Sequence, residues 1–180
     1  MTQRMTRTHR LATEDDLPAI AALMDRAIEA LQAGFLSPAQ ISASRAGMGL
    51  DTQLIADRTY FLVEDDDVLV GCGGWSRRAT LYGGDAAAVR DASLLDPARD
   101  PARIRAMYTD PDRVRQGIGR AVLTLCEDAA RAAGFARTQL MATRAGEPLY
   151  RASGYEVVER VDSFVPGEVA VPGAVMVKPL

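Results

Sequence analysis

The stretch that decides the fold runs from Thr109 to Leu125 and reads TDPDRVRQGIGRAVLTL. A proline-containing turn leads into two glycines, Gly117 and Gly119, and apolar residues at helical spacing follow at once. The first turn of a helix leaves N–H groups unpaired, and the helix dipole places partial positive charge there. Because glycines let an anion approach such N–H groups closely, the stretch predicts a phosphate site, and a pyrophosphate in particular.

Two common phosphate-binding motifs do not fit this stretch. A P-loop requires Gly-Lys-Ser/Thr, which does not follow the glycines here. The dinucleotide fingerprint G-x-G-x-x-G begins at Gly117 and Gly119, but Val122 stands where the third glycine belongs. About twenty residues further on, where an acid should bind the ribose, the sequence has Arg137, Thr138 and Gln139. The dinucleotide-binding interpretation is therefore rejected.

The surrounding pattern mixes helices and strands. Apolar spacing predicts an amphipathic helix over 14–32, and a Ser-Pro start predicts a second helix over 38–47. Two β-rich runs, 60–63 and 68–72, flank an acidic turn and indicate a hairpin whose three aspartates are solvated. Further strands are expected in ARIRAMYT, ARTQLMA, YEVVERV and GAVMVKPL, and a short helix in GEPLYRAS. In the helix after Gly119 we expect Glu127 to lie off an apolar face that comprises Ile118, Ala121, Val122, Leu125, Ala129, Ala132 and Ala133.

Glycines and prolines mark two unusual segments. Gly71, Gly73 and Gly74 weaken the second hairpin strand and indicate a bulge or a close approach by another element. Residues 77–102 are polar and contain Pro97 and Pro101, and loops of this length usually have a function. We interpret this connection as a lid or an interface element.

Bulk composition limits the class of protein. With 180 residues, 48% hydrophobic and 25% charged, the chain suits one globular domain. A formal charge of −3 argues against a nucleic-acid partner, and the absence of a long apolar run or a secretory signal argues against a membrane partner. Two cysteines without metal-ligand spacing, together with a single histidine, argue against a metal site and favour a reducing cytoplasm.

Residues 103–161 resemble the GNAT superfamily of N-acetyltransferases. That family's signature, Gln/Arg-x-x-Gly-x-Gly/Ala, lies on a strand, loop and helix that grip the pyrophosphate of acetyl-CoA, and IRAMYTDPDRVRQGIGRAVL has this layout. The later segment EPLYRASGYEVVE is similar to the family's closing Tyr-x-x-x-Gly-aromatic segment, at Tyr150, Gly154 and Tyr155. Val114 departs from the Gln or Arg of the first signature position, but the family's pyrophosphate contacts are mainly to backbone N–H groups, which valine retains.

The resemblance implies a single α+β domain over 1–180, with a mixed, mostly antiparallel central sheet flanked by helices. The cofactor-binding core would span about 103–161, and 77–102 would be a long insertion. The implied activity is an acetyl-CoA-dependent N-acetyltransferase that needs no metal. It would act on a primary amine of a small molecule or a peptide, by direct attack in a ternary complex. A homodimer is a further expectation, because dimers are common in this family.

The resemblance also implies the site residues. Backbone groups of Met107, Tyr108 and Thr109, where the strand splays from its neighbour, would bind the pantetheine arm and the acetyl carbonyl. Tyr150 matches the tyrosine that protonates the departing thiolate; a phenol with an ordinary pKa of about 10 can donate at neutral pH, although Tyr150 could also merely pack over the cofactor. The implied phosphate loop is Arg115, Gln116, Gly117, Ile118, Gly119 and Arg120.

The general base is not evident from the sequence. Glu147, Asp85 and Asp110 are candidates, but each also fits an ordinary turn or surface charge, and an amine can lose its proton to solvent before it binds. Arg103 and Arg105 should share one face of a strand. They could attract an acidic substrate or a carboxylate beside its amine, or they could pair with surface acids.

Other functions remain open at the level of sequence. The chain could use another short acyl-CoA, or it could be a non-catalytic CoA-binding or regulatory module. A nucleotide-binding protein is a third alternative, which predicts stabilisation by ATP or NAD but not by acetyl-CoA.

Overall fold

The computed structural model describes residues 5–180 and has one sheet at its centre. The strands are β1 (Arg7–Leu11), β2 (Tyr60–Asp65), β3 (Val68–Ser76), β4 (Ala102–Thr109), β5 (Arg137–Thr143), β6 (Glu156–Val161) and β7 (Gly173–Pro179). Their order is β1-β2-β3-β4-β5-β7-β6. Only β4 and β5 pair in parallel, and the other neighbours are antiparallel. The mixed, mostly antiparallel sheet of a single α+β domain is therefore confirmed.

Helices cover both faces of this sheet. They are α1 (Leu17–Leu31), α2 (Pro38–Ser44), α3 (Thr52–Ala56), α4 (Ile118–Ala132) and α5 (Glu147–Ala152). The core under α1 to α3 includes Ile20, Leu54 and Leu62. The core under α4 includes Val70, Val122, Leu140 and Met176. Alternate residues along the strands enter opposite cores, as the two-residue period of a strand requires.

The β3 glycines allow α4 to lie close to the sheet. A Cβ placed on Gly73 would come 2.7 Å from Cγ1 of Val122, and one on Gly71 would overlap the side chain of Ile118. The register between β3 and β4 also shifts between Cys72 and Gly74. Both consequences predicted from these glycines, a bulge and a close approach, are confirmed.

The parallel pair β4 and β5 stays together for only two residue pairs. Ala102 pairs with Thr138 and Arg103 pairs with Gln139, after which the two strands are no longer paired. Beyond this point β4 remains bonded to β3, and β5 remains bonded to β7. The sheet therefore contains an internal gap between two supported strands, as the splayed strand in the resemblance predicts.

Local predictions were wrong at several points, because tertiary contacts overrode the pattern. The expected helix over 38–47 ends at Ser44, and α3 was not foreseen. On α4, Ala132 and Ala133 are exposed while Ala130 is buried. Glu127 is buried too, since it pairs with Lys178 of β7 at 2.8 Å.

The acidic hairpin turn differs from its prediction as well. Asp66 and Asp67 form an exposed turn with positive φ, but Asp65 is buried and pairs with Arg7 at 2.8 Å. Residues 77–101 contain no regular helix or strand beyond a bridge between Arg78 and Leu94. Within residues 5–180, no helix combines the length and apolarity that a membrane span would need.

Candidate functional site

A cavity of about 710 Å³ lies where β4 and β5 separate. One end is formed by the loop before α4 and by α5, and the other end by α1, residues 81–84 and Phe164. The backbone of β4 runs along the cavity between these two ends. A volume in this range is typical of a site for a small molecule or a cofactor.

The loop before α4 has the conformation of an anion cradle. Arg115 and Gly117 adopt positive φ values of 62° and 77°, and α4 begins at Ile118. Within residues 5–180, none of the backbone N–H groups from Arg115 to Arg120 donates to another protein group. These unpaired donors lie at the positive end of a fifteen-residue helix, which is a favourable environment for a phosphate.

Most of the predicted site residues line this one cavity. The exception is Gln116, whose exposed side chain lies outside the wall and whose carbonyl accepts a hydrogen bond from Arg7 Nη1 at 3.0 Å. Val114, at the first signature position, is exposed at the wall of the cavity. The predicted residues in the wall are Met107, Tyr108, Thr109, Arg115, Gly117, Ile118, Gly119, Arg120 and Tyr150.

β4 presents one free edge to the cavity. Tyr108 and Thr109 pair with Cys72 and Gly71 of β3 on the other edge. Just before them, Ala106 has a φ of 50°, and its carbonyl accepts a hydrogen bond from the Tyr60 hydroxyl at 2.7 Å. The strand is therefore held in an irregular shape shortly after its pairing with β5 ends at Arg103.

Tyr150 lies on α5 with its ring in the cavity wall. It is 8% exposed and stands edge-on to Tyr155, with ring centroids 5.8 Å apart. Burial raises the pKa of the Tyr150 phenol above its ordinary value. Among residues 5–180 its hydroxyl has no hydrogen-bond partner, whereas the Tyr155 hydroxyl bonds to Thr138 at 2.8 Å. The Tyr150 hydroxyl is thus protonated at neutral pH and available to a ligand.

The three candidate bases lie outside the cavity wall. Asp85 accepts from the Thr52 N–H at 3.0 Å, and Asp110 pairs with Arg26 at 3.3 Å. Glu147 pairs with Arg151 and Arg160 at 2.9 and 2.8 Å, and the Arg160 guanidinium is the main cause that lowers the pKa of Glu147 to about 2. All three carboxylates are therefore held in structural contacts.

The two predicted β4 arginines have different environments. Arg103 bonds to Gln139 and to the Ala79 carbonyl, and it does not line the cavity. Arg105 lines the cavity and pairs with the buried Asp51 at 2.6 Å. Asp51 is a site residue that sequence reasoning missed, because it lies 54 positions from its partner and no local pattern links the two.

The thiols offer no nucleophile. Cys72 and Cys126 are both fully buried, and burial raises the pKa of Cys72 to about 12 and that of Cys126 further. A thiol that stays protonated is a poor nucleophile. Among residues 5–180, no cluster of three histidines, cysteines or carboxylates could hold a metal ion.

Comparisons with known proteins agree with this geometry. A family model described as the acetyltransferase (GNAT) family matches residues 21–155. Among curated proteins, no match to the sequence is found.

Solved structures share the whole fold at low sequence identity. A GCN5-related N-acetyltransferase from Rhodopseudomonas palustris superposes with a TM-score of 0.72, at 22% identity and 100% coverage of both chains. The PaiA N-acetyltransferase of Thermoplasma acidophilum, solved with coenzyme A, gives 0.65 at 14% identity, with 98% and 100% coverage. The ribosomal-protein-S18-alanine N-acetyltransferase of Escherichia coli gives 0.61 at 20% identity, with 97% and 94% coverage.

Proposed function

Because this chain belongs to the acetyltransferase (GNAT) family, we propose that it transfers the acetyl group of acetyl-CoA to a primary amine. The observation that carries the proposal is the row of unpaired N–H groups from Arg115 to Arg120, at the start of α4 and beside the gap between β4 and β5. A diphosphate is a natural ligand for such a row. The coenzyme A bound by the Thermoplasma acidophilum relative supports this ligand.

Each part of the cavity has a role in this proposal. The loop from Arg115 to Arg120 holds the pyrophosphate, and the free edge of β4 at Met107–Thr109 holds the pantetheine arm and the thioester carbonyl. Donors aimed at that carbonyl stabilise the oxyanion that forms during attack. Arg115 and Arg120 line the same end of the cavity and add positive charge around the diphosphate.

The transfer itself requires one proton donor in the wall. The amine nitrogen attacks the thioester carbon, the C–S bond breaks, and the departing sulfur takes the Tyr150 hydroxyl proton. The proton that the new amide nitrogen loses passes through solvent and restores the phenol. Because the described cavity wall offers no free carboxylate, the amine enters neutral after it loses its ammonium proton to water.

The proposal is tested by binding and turnover together. Calorimetry should show association with coenzyme A and acetyl-CoA, and no comparable heat with ATP or NAD. A thiol-release assay over amino acids, polyamines, aminoglycosides and peptide N-termini should then show CoA release that depends on the amine. Absence of association with coenzyme A in any acylation state would overturn the proposal.

The same assay separates the alternatives. Faster release from propionyl-CoA than from acetyl-CoA would assign another short acyl donor. Tight CoA binding without turnover on any amine would assign a non-catalytic binding module. The available Tyr150 hydroxyl favours catalysis over that module.

A further inference from the structure

The end of the cavity opposite the phosphate loop contains one ion pair. Among the residues that line the described cavity, the charged side chains are Arg115 and Arg120 at the loop, and Asp51 and Arg105 at the opposite end. That opposite end is where the acceptor amine must enter under the proposed function, because the coenzyme fills the gap between β4 and β5. Its charges therefore decide which amines are accepted.

Arg105 is held in place by hydrogen bonds, but not all of its N–H donors are engaged. It is 5% exposed; Nη2 donates to Asp51 and to the Gly83 carbonyl, and Nη1 donates to the Thr80 carbonyl at 3.0 Å. A guanidinium has five N–H donors in a planar fork. Within residues 5–180, the Nε–H and one Nη1–H of Arg105 have no partner. A buried cation with spare donors in a cavity wall favours an anionic acceptor group.

The hydrogen-bond partners of Asp51 point in the same direction. Asp51 accepts from Arg90 at 2.8 Å as well as from Arg105 at 2.6 Å. Both carboxylate oxygens of Asp51 are therefore occupied by guanidinium donors. No other carboxylate lines the described cavity, so an anionic group on the ligand has no competing carboxylate for the spare donors of Arg105. A polycationic acceptor would instead add repulsion.

The cavity walls beyond this ion pair are mostly apolar, with the buried Gln32 among the polar exceptions. Phe35 and Tyr82 are 53% and 40% exposed at the mouth of the cavity, and Tyr82 packs edge-on to Phe164 at 6.3 Å. Large exposed aromatic side chains that border a cavity mark a place where an apolar ligand gains burial. Further apolar lining comes from Ala27, Ile28, Leu31, Met48, Leu81 and Met141.

The position along β4 places the anionic group near the reacting amine. Arg105 and Met107 are two residues apart on β4. Since Ala106 between them has a φ of 50°, their Cα atoms lie at most about 7 Å apart, the limit of an extended chain. Because the arginine side chain is long, its guanidinium can lie closer to an amine bound beside Met107 than the Cα distance indicates. The carboxylate and the amine can therefore belong to one small molecule.

We infer that the acceptor is a small amino acid: one amine and one carboxylate on an apolar body, with the carboxylate bound by Arg105 and the body packed against Phe35 and Tyr82. The inference rests on the proposed function for the position of the amine. It disfavours polyamines and aminoglycosides, which lack the anionic group and carry extra positive charge. It also disfavours peptide N-termini, whose neighbouring carboxyl is a neutral amide.

The decisive comparison uses matched acceptors with the wild-type enzyme. Phenylalanine and leucine are each compared with their amides, and spermidine is included as a polycation. We expect kcat/KM for each free acid to exceed that for its amide by about tenfold or more, the value of a hydrogen bond to a charged group, with spermidine slowest. Equal or faster turnover of the amides, or spermidine as the best substrate, would overturn the inference.

A matched pair of variants assigns the preference to one residue. Arg105→Lys keeps a cation beside Asp51 but removes the Nε–H donor, so the ratio of acid to amide should fall at least to about a third of its wild-type value. Arg103→Lys changes the neighbouring arginine of β4, which lies outside the cavity, and should leave the ratio unchanged. A ratio that is unchanged in Arg105→Lys, or lowered equally in both variants, contradicts the assignment.

A binding measurement keeps this test separate from the proposed function. The CoA-bound protein is titrated with phenylalanine and with its amide by calorimetry. Tighter binding of the free acid supports the inference even if no acetyl group is transferred. The absence of transfer would overturn only the proposed enzymatic activity. Binding that does not distinguish acid from amide overturns the inference, whether or not amines are acetylated.

Discussion

Gly119, in the first turn of α4, lies against Leu149 of α5. A Cβ placed on Gly119 would come 2.9 Å from Leu149 Cδ2 and 3.5 Å from Thr109 Oγ1. The proposed phosphate loop is therefore in contact with the helix that carries Tyr150. The two sequence motifs, far apart in the chain, form one continuous wall of the cavity.

This contact predicts the effect of Gly119→Val, a larger change than the alanine that the family signature admits at this position. The added isopropyl group must displace Leu149 and press on Thr109 Oγ1, and such overpacking costs about 1–3 kcal/mol. We expect calorimetry to show coenzyme A binding weakened by about tenfold. Leu149→Ala in the same chain should restore part of the affinity, because it removes the displaced atoms. Wild-type affinity in Gly119→Val would show that the contact does not shape the site.

Tyr150→Phe tests the proposed role of Tyr150 as proton donor. The change removes only the hydroxyl, so kcat should fall by about a hundredfold while the Kd for acetyl-CoA stays near the wild-type value. Tyr155→Phe is the matched control, because it removes the neighbouring hydroxyl, which bonds to Thr138 instead. Unchanged turnover in Tyr150→Phe would leave this ring with a packing role alone.

Gly117→Ala tests the left-handed residue that starts α4. A Cβ at Gly117 would meet nothing within 4 Å, but its φ is 77°. The cost is therefore conformational, about 1 kcal/mol, and should lower Tm by about 2–4 °C for a chain of this size. Gly117→Asn should lower Tm by less than Gly117→Ala does, since asparagine tolerates this conformation. Equal losses in the two variants would argue against backbone strain as the cause.

Sequence reasoning reached the parts of the site that local chemistry specifies. A glycine pair directly before an apolar helix is typical of an anion-binding loop. Gly117 and Gly119 could therefore be predicted to line a binding site. Asp51 with Arg105, and Asp65 with Arg7, were missed because each pair joins residues more than fifty positions apart. Such pairs depend on how strands and loops stack in three dimensions, which periodicity does not reveal.

Glu147 gives a prediction for the dependence of stability on pH. Its pKa in the folded chain is about 2, below the ordinary 4.5, mainly because of the ion pair with Arg160. A lowered carboxyl pKa stabilises the fold above the unfolded value, and this contribution is lost as the pH falls through the folded value. Urea unfolding should therefore show Glu147→Gln less stable than wild type at pH 6, with the difference disappearing as the pH falls from about 4.5 to about 2.

A control variant and an activity measurement complete the test of Glu147. Glu159→Gln is the control, because Glu159 is exposed and has no ion pair within residues 5–180. Acetyl transfer by Glu147→Gln should remain close to wild type, since Glu147 lies outside the cavity wall. A large loss of kcat with intact folding would instead return Glu147 to the set of candidate bases.

The buried thiols predict direct transfer without an acetylated enzyme. Because burial keeps Cys72 and Cys126 protonated, Ellman's reagent should detect almost no thiol in the native protein and both thiols in urea. Mass spectrometry after incubation with acetyl-CoA alone should show an unmodified chain. An acetylated cysteine peptide would contradict the proposed direct transfer.

The early parting of β4 and β5 has a consequence for how affinity arises. Each strand is paired on its outer side, β4 with β3 and β5 with β7, so hydrogen bonds within the protein hold the backbone on both sides of the gap. Ligand binding in this gap should then require little ordering of the backbone. A preorganised site of this kind loses less conformational entropy on association. Under the proposed function, coenzyme A would bind where the pairing between β4 and β5 is missing.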